Sequence, residues 1–113
     1  MPDELAGLGR FAEPSLAILL VLGDGPKHGY AIMTEARQLT GEPLGPGTLY
    51  ATLQRLEDRR LIEALPAEDR RRPYRLTEAG STVLRAHLEG LGDLVRTGLA
   101  RLGRSEGPER ETP

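Results

Sequence analysis

Cysteine, tryptophan and asparagine are absent from this chain, and its aromatic residues amount to three Tyr and one Phe. The lack of Cys rules out a disulfide framework and a thiolate metal site. The scarcity of aromatics leaves Leu, Ile, Val and Ala to fill the core, and such a core comes from packed helices. No long apolar run is present. The longest, Leu16 to Leu22, is far shorter than the roughly 18 residues of a membrane span. The first residues, Met1-Pro2-Asp3-Glu4, are acidic where a secretory signal starts basic. A cytoplasmic location with no membrane partner is the expectation. Histidine is limited to His28 and His87, and no acid–base constellation or phosphate loop accompanies them. No catalytic residue, metal or cofactor is expected.

What is present is 113 residues with 38% hydrophobic and 28% charged side chains. That suits one domain with a single modest core and an ionic surface. The formal charge of −2 would argue against a polyanionic partner only if it were spread evenly. It is not. Residues 55–75 hold seven Arg against five acids, a local excess of two positive charges, while the rest of the chain holds eight basic and twelve acidic residues. A basic strip on an acidic body can grip phosphates while the body discourages indiscriminate adhesion.

Residues 1–13 read as a loose arm. Ser15 can cap a first helix whose apolar residues surround it on all sides, which makes it the most buried element. Gly23-Asp24-Gly25-Pro26 stops it. A second helix is expected from about His28 to Leu39, then a turn rich in Gly and Pro up to Gly47. A third starts at Pro46 or Gly47, with Leu49, Leu53 and Leu56 as its buried stripe. Its other face offers Thr48, Ala51, Thr52, Arg55 and Arg59. Leu61–Leu65 and Pro73–Leu76 read as two strands of a hairpin whose tip carries Arg70, Arg71 and Arg72. Thr77 is a candidate N-cap for a last helix over 77–102, followed by a polar, disordered tail over 103–113. On that helix Leu84, Leu88, Leu91, Val95 and Leu102 follow a heptad, with Gly98 standing where a further core residue belongs. Three short helices and a hairpin make a winged helix-turn-helix over 14–76, a mainly α fold with a small β-hairpin. The extra helix has an apolar stripe too long for so small a core, so it is assigned to homodimerisation.

Four blocks carry a family resemblance: the apolar first helix ending in Gly23-Asp24-Gly25-Pro26, then His28-Gly29-Tyr30, then Pro46-Gly47-Thr48-Leu49-Tyr50, then Arg72-Pro73-Tyr74-Arg75-Leu76-Thr77-Glu78-Ala79-Gly80. In this order and at these separations the chain resembles the PadR family of transcriptional regulators, and within it the compact subfamily with a short C-terminal helix. The resemblance implies a sequence-specific regulator, a repressor acting as a homodimer on inverted-repeat double-stranded DNA, with release by a small hydrophobic or phenolic effector. Some relatives sandwich flat aromatic drugs between Trp residues, a mode that a chain without Trp does not support. Gly45 and Ala51 stand where relatives often carry Ser and Pro. Arg60 stands where they usually carry Gly, and a left-handed backbone there would cost about 1 kcal/mol.

The residues expected at DNA have physical reasons of their own. A recognition helix points its N-terminal turn into the major groove, where free N–H groups and the dipole favour phosphate. Gly47 permits close approach, Thr48 supplies a hydroxyl, Tyr50 a rigid phenol, and Gln54 and Arg55 can read base edges. His28 and Tyr30 open the preceding helix, although Tyr30 reads equally as core. Arg70, Arg71 and Arg72, with Arg75 behind them, suit the backbone or the minor groove. The competing class is a winged-helix protein-interaction module that binds no DNA.

Overall fold

The computed structural model describes residues 13–111. Helix α1, Pro14–Val21, runs into a 3-10 turn at Leu22–Asp24. Strand β1, Lys27–His28, leads into α2, Gly29–Thr40, and α3, Pro46–Asp58. Strands β2, Ile62–Ala64, and β3, Pro73–Leu76, precede the long α4, Glu78–Glu111. The fold is a winged helix-turn-helix, mainly helical with one small antiparallel sheet. The N-terminal arm lies almost wholly outside the described residues.

Helix α1 is the centre of the core, as its all-round apolarity predicts: Ala17, Ile18, Leu19 and Val21 are buried. Around it sit Ile32 and Ala36 of α2, Leu49, Leu53 and Leu56 of α3, Ile62 of β2 and Leu84 of α4. Its start is two residues earlier than expected. Pro14 occupies the first turn behind Glu13, and Ser15 is not the cap. The fixed φ of Pro suits that position.

The hairpin is a three-stranded sheet in the order β1-β3-β2. Lys27 and His28 pair with Tyr74 and Pro73, so His28 is strand rather than helix. Two residues show too little alternation to be read as a strand, and they become one only because β3 offers them an edge. Lys27, the sole lysine in the chain, explains the attachment. Its ammonium donates to the Val21 carbonyl at 3.0 Å, binds the Asp24 carboxylate and lies 3.8 Å from Glu35. One cation thus closes the C-terminal end of α1, where positive charge is favoured, and ties the wing's first strand to two helices. The hydrogen bond and charge of Lys27 hold the Asp24 carboxyl below its ordinary pKa.

Helix α3 ends in a left-handed turn. Arg60 has φ 61°, its N–H donates to the Glu57 carbonyl at 2.9 Å, and the Leu61 N–H reaches back to Leu56 at 3.0 Å. This is a Schellman closure, for which Gly is the usual residue. Arg60→Gly is therefore expected to be neutral or to stabilise by up to about 1 kcal/mol, strain relief being offset by the freer unfolded chain. Urea denaturation reads it, and a clear loss of stability would contradict the left-handed assignment.

Helix α4 begins where Thr77 bridges the elements. Its hydroxyl donates to the Arg60 carbonyl at 2.7 Å and accepts the Gly80 N–H at 2.9 Å, the capping role expected of it. The expected tail is corrected: the helix passes Leu102 and continues to Glu111. Residues that keep an N–H can each add a hydrogen bond to a formed helix, although Gly103, Gly107 and Pro108 are poor helix formers. The stripe is corrected too. Leu84 belongs to the chain's own core and Leu91 is half-buried. Leu88, Val95 and Leu102 are exposed, together with Leu94 and Leu99, which the heptad did not include.

Candidate nucleic-acid interface

Helix α3 buries Leu49, Thr52, Leu53 and Leu56. Thr52 was expected on the polar face. It lies one turn after Leu49 on the same side, fully buried, and its hydroxyl oxygen accepts a bond from Arg55 at 3.3 Å. The opposite side is open: Gly47, Thr48, Tyr50, Ala51, Gln54, Arg55 and Asp58 are all exposed. Gly47 and Ala51 leave this face low, so that a flat edge can approach the backbone and meet Gln54 beyond.

Tyr50 leans over the start of α2. A Cβ placed on Gly29 would sit 2.6 Å from the Tyr50 hydroxyl, so the absent side chain at position 29 is what admits the phenol. The neighbouring Tyr30 is 73% exposed, which removes it from the core and leaves it available on the surface. On the wing, burial, with the charge of Glu57 adding to it, raises the Tyr74 phenol above its ordinary pKa. The groups that act on Tyr74 also include Arg72 and Tyr50, and the recognition helix packs on the wing through β2.

The wing tip is a two-residue turn. Glu68 and Arg71 exchange backbone hydrogen bonds of 2.7 and 2.8 Å, and between them Asp69 and Arg70 have φ of 49° and 68°. Such primed turns favour Asn-Gly or Asp-Gly. Asp69 fits. Arg70 holds a left-handed conformation that costs about 1 kcal/mol relative to Gly, and strain of this kind concentrates where a side chain has a task. Arg70, Arg71 and Arg72 are exposed. Arg75 is not part of that cluster: it faces Glu63 across the sheet, 2.7 Å from its carboxylate. His28 is half-buried on β1, paired with Pro73.

Behind the recognition helix, a groove of about 340 Å³ runs between α1 and α4. Leu16, Leu19, Leu56, Leu61, Leu84 and Leu91 line it, with Arg59 and His87 among its polar residues. Among the described residues there is no cluster of three or more metal-ligating side chains. No helix there is long and apolar enough to cross a membrane.

Sequence reasoning missed Lys27, Gly29, Asp58 and Gly80, whose roles depend on partners distant in the chain or on another side chain's seat. The signals available were a lone Lys among Arg and the places of Gly29 and Gly80 inside the family-like blocks.

Comparison with known proteins agrees with this geometry. The chain is 40% identical over 85 residues to an uncharacterized 37.1 kDa protein in transposon TN4556 of Streptomyces fradiae, covering 75% of this chain and 25% of that protein. It thus spans about a quarter of the length of the curated relative it matches. Among solved structures, a PadR family transcription regulator from hypervirulent Clostridium difficile superposes with a TM-score of 0.69 at 26% identity, over 79% of this chain and 97% of that one. A transcriptional regulator from Clostridium thermocellum gives 0.66 at 25%, over 88% and 96%. RosR of H. salinarum gives 0.64 at 26%, over 88% and 98%. The model of the transcriptional regulator PadR-like family matches residues 18–86, most of the winged helix and the start of α4, and the chain belongs to that family.

Proposed function

We propose that this regulator acts as a repressor that binds inverted-repeat double-stranded DNA as a homodimer. Helix α3 enters the major groove and the wing follows the backbone or the minor groove. The observation that carries the reading is the open face of α3, Gly47 to Gln54, together with a wing whose tip presents three exposed Arg on a strained turn. Strain that orients charge toward nothing would be a poor bargain for a small domain. Thr48 and Tyr50 suit phosphate, while Gln54 and Arg55 suit base edges. A small hydrophobic or phenolic effector fits the groove between α1 and α4, where it would touch the end of α3 and the dimerising helix together.

The test is a mobility shift on the DNA upstream of the protein's own coding sequence, with the Arg70, Arg71 and Arg72 to Ala triple variant beside the wild type. The variant should lose affinity for specific and random DNA by similar factors. Its log K against log salt slope should flatten by about 0.9 for each phosphate contact removed. An unchanged slope and affinity would reduce the tip to a solvated turn. A wild type that binds no DNA would move the face of α3 to the protein-interaction reading.

A further inference from the structure

The outward row of α3 ends in an acid. Gly47, Ala51, Gln54 and Asp58 follow one another at helical spacing opposite the buried stripe, and all four are exposed. A carboxylate here is doubly out of place. It lies in the last turn, where the helix dipole disfavours negative charge, and on the face offered to a polyanion. Yet it has a partner. The Gln54 amide nitrogen, Nε2, donates to the Asp58 carboxylate at 2.9 Å.

That bond decides what Gln54 can present to a base. An unconstrained glutamine amide can donate both N–H groups, or accept through its oxygen and donate through one N–H. Guanine offers two acceptors in the major groove, O6 and N7, whereas adenine offers the N6 donor beside the N7 acceptor. With one N–H held by Asp58, Gln54 keeps Oε1 as acceptor and a single N–H as donor. The match is to adenine, and the two-donor alternative is withdrawn.

We propose that Asp58 is a positioning residue for specificity: through its hydrogen bond it fixes the Gln54 amide to read an adenine in each half-site and to reject guanine, and its charge holds down binding to random DNA. The inference rests on the DNA-binding reading above. An i, i+4 pair of this type also stabilises a helix by a few tenths of a kcal/mol, so the test must separate selection from stability.

Wild type, Asp58→Ala, Asp58→Asn and Gln54→Ala proteins, with the Gln54→Ala/Asp58→Ala double variant, are each used to select from a DNA library with randomised half-sites. The bound fractions are sequenced, and melting temperatures are measured alongside. The wild type should prefer adenine over guanine at one position per half-site by about 5- to 100-fold, the range one bidentate contact supplies. Asp58→Ala should lose most of that preference and bind random DNA about two- to fivefold more tightly, the modest effect of one exposed charge. Asp58→Asn keeps an acceptor for Nε2 but no charge. It should retain the preference while gaining the random-DNA affinity. In the Gln54→Ala background, Asp58→Ala should leave base preference unchanged. A full preference in Asp58→Ala, with or without a shifted melting temperature, overturns the inference and leaves a helix-stabilising pair. So does a preference that changes equally without Gln54. A wild type that selects no sequence at all instead overturns the DNA-binding reading itself.

Discussion

Gly80→Ala should destabilise the protein by about 3 kcal/mol and lower its melting temperature by roughly 15 °C. A Cβ at this position would stand 1.9 Å from the Leu61 carbonyl oxygen and 2.9 Å from its carbon. Backbone atoms cannot swing aside as the end of a side chain can. That carbonyl is also committed, because it accepts the Thr77 N–H at 3.1 Å. Leu61 in turn completes the closure of α3 through its own N–H. The methyl group would therefore have to push α4 away from the end of the recognition helix, disturbing the Thr77 bridge and the buried Leu84 beyond it. A loss of this size is a large part of the 5–15 kcal/mol that holds a domain together. Thermal and urea denaturation of the pure protein measure it. A cost below about 1 kcal/mol would show that α4 can slide on the winged domain at little expense, and that the junction does not fix the angle between them.

Gly80 also marks where the sequence stops being legible. The blocks around it could be read as a family pattern, and Thr77 as a cap, because capping chemistry is local. The contact that demands glycine joins residues nineteen positions apart in effect only after α3, β2 and α4 have been placed. The same division runs through the chain. The apolar run of α1, the leucines of α3 and the cationic wing tip were readable from periodicity and residue type. Strand β1 was not, since two residues carry no period and the strand exists through pairing with β3. Thr52 was misplaced because a buried hydroxyl bonded to Arg55 looks polar in a sequence. On the open face of α3, residue types singled out Thr48, Tyr50, Gln54 and Arg55, all exposed, but only geometry paired Arg75 with Glu63 and Gln54 with Asp58. The end of α4 escaped because Gly103, Gly107 and Pro108 read as helix breakers, yet the helix runs through them to Glu111.

Val95→Asp combined with Leu102→Asp is expected to leave a folded monomer that binds its operator at least about 100-fold more weakly than the wild type. Helix α4 has 34 residues, about 50 Å at 1.5 Å per residue. Its first turns pack on α1 and β3 and bury Leu84. Further along, Leu94, Val95, Leu99 and Leu102 are 55–68% exposed, an apolar face that a second copy would cover. Leu88 and Leu91 are weaker places to test this, because Leu91 also lines the groove against α1 and an acid there could unfold the chain. Val95 and Leu102 are seven residues apart, in the same heptad position, and carry none of the monomer's core. At about 2 kcal/mol for each buried side chain lost, two substitutions on each copy remove on the order of 8 kcal/mol, the whole free energy of a micromolar dimer. Each monomer then grips one half-site, and the intramolecular second engagement, commonly worth 100-fold or more, disappears. Sedimentation at micromolar concentration reads the first effect, circular dichroism the retained fold, and a mobility shift on the paired half-sites the second. A wild type that sediments as a monomer yet binds that DNA tightly would sink the dimer mechanism. With a dimer, the angle between the two copies of α4 sets the distance between recognition helices, about one DNA turn or a multiple of it. Gly80 and Thr77 then become the joint through which a ligand in the α1–α4 groove would change that distance.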